Sequence, residues 1–309
     1  MFRNSNILVP TDFSTYANYA LKYAIAMAKQ FGATLHYAHV LDRSALAGVR
    51  GNEMWLAESE SHALIDSMRE HATSRMAHLT QIADDEGVKS ETHVVLGNPT
   101  EEILRLAEQT DSTLIVMATH GRSGVEHLVF GSVAEKVVRQ SAVPVLSVKH
   151  PEREFVKEYD LSLEIKRVLF PTDFSPFSDK ALPFAKSFAK EFDATLIIFH
   201  ATEVPIVLPE VVPDSAVLLG PQLEDESRQL VQKMCDSISD VKVEGEVRVG
   251  TAFREIASYA EKTGVDLIVV PTHGRSGLSH VLFGSVAEKV VRVARCPVLT
   301  IRPEYGGEV

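Results

Sequence analysis

Two segments of the chain combine side chains and glycines in a way suited to holding an anion. Residues 118–132 read ATHGRSGVEHLVFGS, and residues 271–285 read PTHGRSGLSHVLFGS. Each ends in a Gly-Ser pair that opens an amphipathic stretch, SVAEKVVR. The N–H groups and positive dipole end at such a helix start attract phosphate, and glycines at 121, 124 and 131 let the backbone approach a ligand closely. His120 and Arg122 add hydrogen-bonding or positive groups. A purely structural use of the same atoms competes with this one. Ser132-Val-Ala-Glu135 and Ser285-Val-Ala-Glu288 match the S-x-x-E capping box, in which serine caps the helix and nothing is bound.

Local basicity matters because the chain as a whole is acidic. Its 309 residues carry 31 Lys+Arg against 42 Asp+Glu, a net charge of -11, which disfavours a nucleic-acid backbone or an anionic membrane as the main partner. With 45% hydrophobic and 24% charged residues, disorder and collagen-like structure are excluded. No apolar run approaches the roughly 18 residues of a spanning helix, and MFRNSNILVPTD lacks the build of a signal peptide, so a soluble cytoplasmic protein is expected. Cys235 and Cys296 are too few for a disulfide framework and are read as ordinary thiols.

Catalysis has little support in the residues. The phosphate-loop pattern G-x4-G-K-[ST], the dinucleotide pattern G-x-G-x-x-G, the nucleophile elbow G-x-S-x-G and the zinc-protease pattern H-E-x-x-H are all missing. Ser132 and His120 are a Ser-His pair on paper only, so the reading is binding rather than turnover. His62, His71 and His78 fall on one long helical stretch, where a solvated face is a better account than a metal site, and no metal ligand is assigned.

The elements that must position these loops recur. ILVPTDFS at 7–14 returns as VLFPTDFS at 168–175, THGRSG at 119–124 returns at 272–277, and FGSVAEKVVR at 130–139 returns at 283–292. The offset falls from 161 to 153 residues, so the second copy is eight residues shorter in its middle. Two domains are expected, 1–149 and 165–309, joined by a charged linker at 150–164. In copy one the hydrophobic pattern predicts strands at 7–9, 33–41, 92–97, 114–118 and 143–148. Helices are predicted at 15–31, 56–86, 100–109 and 132–141. Near-continuous apolar strands alternating with helices indicate an α/β fold, two tandem doubly wound five-stranded parallel sheets. With strand order 3-2-1-4-5, the winding reverses between strands 1 and 4, and ligands in this class sit outside the strand carboxyl ends at that reversal. The loops there are PTDFS and THGRSG…FGS, the segments that recur best.

These residues resemble the universal stress proteins in their tandem two-domain form, over roughly 5–149 and 166–303. Nucleotide-binding members of that family carry G-x2-G-x9-G-[ST] after strand 4. This chain has Ala118-x2-Gly121-x9-Gly131-Ser132 and Pro271-x2-Gly274-x9-Gly284-Ser285, three positions of four in each copy. Alanine adds a methyl group, whereas proline also removes an N–H and fixes φ, so the second site departs further. The resemblance implies an adenine nucleotide alpha hydrolase-like arrangement that binds ATP, with or without a divalent ion such as magnesium, and a role in stress adaptation as sensor or regulator. It implies that Pro10, Thr11, Asp12, Val40, Met117, Ala118 and His120 line the base and ribose, while Gly121, Gly131, Ser132 and Val133 hold phosphates. The matching set in copy two is Pro171, Thr172, Asp173, Ala201, Val270, Pro271, His273, Gly274, Gly284, Ser285 and Val286. Asp12 and Asp173 have an alternative use in organising the turn before the first helix, and His39 and His200 read as buried, hydrogen-bonded strand residues. A module that binds no nucleotide and recruits partners through its edges and an apolar loop is the alternative function; a slow ATP-consuming or self-phosphorylating enzyme is a third.

That apolar loop, 203–222, reads EVPIVLPEVVPDSAVLLGPQ, and its prolines argue against a regular helix. It is either packed on its own domain, a lid, or a surface for an apolar ligand or another subunit. VPVLSV at 143–148 and CPVLTI at 296–301 are apolar edge strands with Pro144 and Pro297 near their starts. Covering one edge with the other predicts an internal pseudo-twofold pair, with further homodimerisation open. NMR relaxation checks this pairing: both domains are expected to tumble with one correlation time, and two shorter, independent times would count against it.

Overall fold

The structure is a computed structural model describing residues 2–43, 58–119, 130–149, 156, 161–203, 219–273, 284–302 and 305. These residues form two compact units. The first runs to Lys149 and takes in Val156 and 161–163; the second begins at Glu164.

The first unit follows the alternation in its sequence. Strand β1 (Asn6–Pro10) leads into helix α1 (Thr15–Phe31), then β2 (Thr34–Asp42), α2 (Glu58–Asp85), β3 (Ser90–Gly97), α3 (Pro99–Gln109), β4 (Ser112–Ala118), α4 (Ser132–Gln140) and β5 (Val145–Val148). All pairings are parallel: β1 lies between β2 and β4, β3 flanks β2, and β5 flanks β4, giving the order 3-2-1-4-5. Ile7, Leu8 and Val9 of β1 and Leu114–Met117 of β4 are buried, as strands covered on both faces must be. Helix α1 has an end built for each terminus. Ser14 accepts a hydrogen bond from the Ala17 N–H at 3.2 Å, and Gly32 closes the helix at φ 64°, donating its N–H to the Ala28 carbonyl. Its buried alanines at 17, 20, 24, 26 and 28 let the helix lie close against the sheet.

The second unit repeats the plan with β6 (Arg167–Pro171), α5 (Pro176–Glu191), β7 (Thr195–Thr202), α6 (Leu219–Asp236), β8 (Val243–Val249), α7 (Ala252–Thr263), β9 (Leu267–Pro271), α8 (Ser285–Val293) and β10 (Val298–Ile301). Its parallel pairings, β6 with β7 and β9, β7 with β8 and β9 with β10, restate the same order. Of the proline-rich segment 203–222, residues 204–218 lie outside the described residues, and the expectation of irregular chain is corrected at its end. Residues 219–222 are already helical, with Pro221 in the first turn, where its missing N–H breaks no intrahelical bond.

The core sets a clear contrast in tolerance. Leu114, fully buried between its sheet neighbours, is expected to lose about 2–5 kcal/mol on replacement by alanine, whereas Leu64, 37% exposed on α2, should lose about 0.5 kcal/mol or less. Urea unfolding of the two variants, followed in the transition of the first domain, checks the difference.

Candidate functional site

The turn after β1 is built by three side chains, Thr11, Asp12 and Ser14, each bonding the backbone just ahead of it. Thr11 Oγ1 accepts from the Phe13 N–H at 3.0 Å, Asp12 Oδ1 accepts from the Ser14 N–H at 2.9 Å, and Ser14 caps α1. Copy two repeats this with Thr172 on Phe174 and Asp173 on Ser175, both at 3.0 Å, and Ser175 on Ser178 at 3.2 Å. The turn-organising role weighed for Asp12 and Asp173 is thus realised. The Ser178 hydroxyl also donates to Asp173. The turn forces Phe13 to φ 62° and Phe174 to φ 59°, a left-handed conformation that is strained for a bulky residue.

A tilted ring contact covers that strained residue. The Phe13 ring lies 4.4 Å from the His39 ring, and Phe174 lies 4.4 Å from His200. Both histidines are buried, and their Nδ1 atoms meet the Thr11 and Thr172 carbonyls at 2.8 Å, as expected of strand histidines that satisfy the loop. In the first unit Arg75 of α2 adds a lid on Phe13: its guanidinium sits 4.3 Å from the ring centre and donates to the Phe13 carbonyl at 3.2 Å. Arg75 is a cation beside this turn that sequence reading missed, since nothing local ties residue 75 to residue 13.

The segments after β1 and β4 emerge side by side because those strands are neighbours. In copy one Pro10 ends β1 and Thr11 and Asp12 follow it in the turn, and Met117 and Ala118 end β4. The Gly131 N–H donates to the Thr119 carbonyl at 2.7 Å, which brings the start of α4 back to the end of β4. Ser132 and Val133 follow on that helix, Ser132 exposed, and Val40 lies near the end of β2. His120 and Gly121 fall outside the described residues, as does Gly274 in copy two.

The capping-box expectation is overturned in both copies. Gly131 and Gly284 are the helix N-caps, with no side-chain cap hydrogen bond, and Ser132 and Ser285 are the first helical residues. Placed there, the serine hydroxyl is one position too late to serve the N–H groups of the first turn as an N-cap does. Glu135 and Glu288 instead pair with Arg139 and Arg292, one turn on, at 3.2 and 3.0 Å. Gly284 also sits close to the strand end: a Cβ there would meet the Thr272 carbonyl oxygen at 3.1 Å, a tight contact.

In copy two these parts enclose a cavity of about 560 Å³. Its walls include Pro171, Thr172 and Asp173 from the first turn, Ala201 from β7, Val270, Pro271 and His273 from the end of β9, and Gly284, Ser285 and Val286 from the start of α8. The Pro271 ring is buried in this wall, and His273 Nδ1 is 3.0 Å from Thr272 Oγ1. Lining residues that sequence reading missed include Leu223, Ser227 and Leu230 of α6, at helical spacing. Leu223 and Leu230 are 37% and 42% exposed. An apolar pair at that spacing beside a proline-rich loop was the available signal. Ser227 is tied down by a 3.0 Å hydrogen bond from Thr202 Oγ1. The result is an apolar wall facing an uncapped helix start, which can accept a flat apolar group on one side and an anionic group on the other. The described carboxylates at its rim include Asp173, committed to the turn, and Glu203, which accepts the Ala252 N–H at 3.0 Å.

The other residues singled out in the sequence are less connected. His62, His71 and His78 are exposed on α2. Cys235 and Cys296 are buried, and burial pushes the Cys235 thiol up, away from the reactive thiolate. Among the described residues, no helix is long and apolar enough to cross a membrane.

Two doubly wound parallel domains, each with a turn and a helix start meeting at the strand reversal, define a doubly wound α/β class. The chain belongs to the universal stress protein family: the family model matches twice, at residues 3–149 and 164–302. Similar relatives include two universal stress proteins of Methanocaldococcus jannaschii. One is 36% identical over 48% of this chain and 84% of that protein, the other 34% identical over 46% and 93%. The crystal structure of a universal stress protein from Archaeoglobus fulgidus shares the fold, with a TM-score of 0.68 at 23% identity and 97% coverage of both chains.

The turn geometry gives a direct test. Asp12→Ala, which leaves the Ser14 N–H without its acceptor, should cost about 0.5–1.5 kcal/mol in the first domain's unfolding transition. Asp12→Asn, which keeps an acceptor oxygen, should recover most of it.

Proposed function

We propose that the protein binds ATP in the crevice between the loops after β1 and β4, and likewise after β6 and β9, and acts as a sensor or regulator in stress adaptation rather than as an enzyme. The observation that carries this reading is the copy-two cavity, whose wall contains ten of the eleven residues that the family resemblance selects there. Its volume falls in the range of about 300–1,000 Å³ usual for small-molecule sites. Adenine suits the apolar side formed by Val270, Pro271 and the α6 leucines, and the triphosphate suits the start of α8.

Binding is more secure in domain one. Ala118 keeps the backbone N–H that Pro271 lacks, and Arg75 stands beside its first turn. A divalent ion such as magnesium would serve there by neutralising phosphate charge, a need that an acidic chain sharpens. Cytoplasmic location is part of the same proposal and agrees with the scarcity of cysteine.

Calorimetry with ATP and magnesium tests the reading through stoichiometry. The intact chain is expected to show two sites, falling to one, the weaker, in Gly131→Trp, where the indole fills the phosphate end of the first crevice. A folded protein, free of retained nucleotide and showing no heat of binding, would overturn the ATP reading in favour of an interaction module.

A further inference from the structure

A cluster at the other end of the first sheet belongs to neither crevice. In the parallel pairing of β2 with β3, His36 stands opposite Glu91, and His93 lies two residues further along β3, on the same side of the sheet. His36 Nδ1 is 3.1 Å from His93 Nε2 and 3.6 Å from Glu91 Oε2, and one ligand atom from each of the three residues lies within 4.8 Å of the others. His36 precedes Val40 by four residues, which at about 3.3 Å each sets the cluster roughly 13 Å back along β2 from the crevice.

We propose that His36, Glu91 and His93 form a binding site for a divalent transition-metal ion of the zinc type. Bonds of about 2.0–2.2 Å in a tetrahedral site separate ligand atoms by roughly 3.3 Å, close to the two distances observed. Two imidazole nitrogens and one carboxylate oxygen suit zinc over magnesium or calcium, which take oxygen shells, and the fourth position is left for water. The Glu91 side chain is 65% exposed and opens the cluster to solvent, while the His36 ring is buried. The buried His36 Nε2 has no hydrogen-bond partner. Outer partners of that kind are worth about 10–100-fold in metal affinity, so binding is moderate rather than tight. The second unit is an internal control: the matching positions are Ile197, Glu244 and Glu246, with both glutamates paired to arginines.

Zinc chloride titrated into the full-length chain carrying ¹⁵N-labelled histidine, at pH 7.5, tests the site. The expected result is a shift of His36 Nδ1 and His93 Nε2 at one equivalent of zinc, with affinity reduced at least tenfold in Glu91→Gln and more in His93→Gln. Circular dichroism reports whether each variant folds. If His93→Gln does not, Glu91→Gln decides, because it changes an exposed side chain. Zinc that shifts only His62, His71 and His78, or Glu91→Gln binding zinc as the parent does, would overturn the proposal.

Discussion

Parallel pairing of β1 with β4, and of β6 with β9, is the constraint on which each domain's function rests. These strands are far apart in sequence and buried on both faces, so their backbone groups are satisfied only by neighbours in the sheet. Once paired in parallel, they release their following loops at the same end. The post-β1 turn and the start of α4, like the post-β6 turn and the start of α8, are thereby brought to the same end of their sheet. The Gly131–Thr119 and Gly284–Thr272 bonds, both 2.7 Å, fasten that meeting point in each copy.

Two left-handed residues sit in the turns that follow β1 and β6. Phe13 and Phe174 adopt left-handed backbone in turns whose three side-chain hydrogen bonds leave little alternative, and ring stacking on His39 and His200 offsets part of the cost. The same histidines bond the Thr11 and Thr172 carbonyls. One small assembly therefore fixes the direction of the first helix, the shape of the crevice and the orientation of a buried imidazole.

Duplication lets the two copies be read against each other. Their shared turn chemistry shows what the fold itself demands, since both need the Thr-Asp-Phe-Ser turn to start a helix. Their differences mark what each copy is free to alter. Ala118 against Pro271 changes the backbone donors of the crevice, and His36 against Ile197 changes a strand position at the far end of the sheet. Among the described residues, the His-Glu-His grouping occurs in the first unit, and the matching positions of the second are Ile197, Glu244 and Glu246.

Most of the fold was legible in the chain because hydrophobic period and turn residues are local signals. The predicted helix at 15–31 matches α1, and that at 56–86 matches α2 through Asp85, its first two residues lying outside the described residues. The Gly-Ser pairs were legible as helix starts, but S-x-x-E fits a cap at Ser132 or a cap one residue earlier, and only the bond from Gly131 to the end of β4 selects the latter. Arg75 over Phe13 and the His36–Glu91–His93 cluster left no usable trace, and the α6 leucines left only an apolar pair at helical spacing. Each joins residues from separate elements, through strand register or helix rotation. Sequence by itself determined the repeat, the element order, the acidic balance and the residue types available to a ligand, because composition and periodicity act over a few turns of chain. Tertiary structure decided which of those residues meet, because parallel strands pair only across long loops and their register is set by burial on both faces.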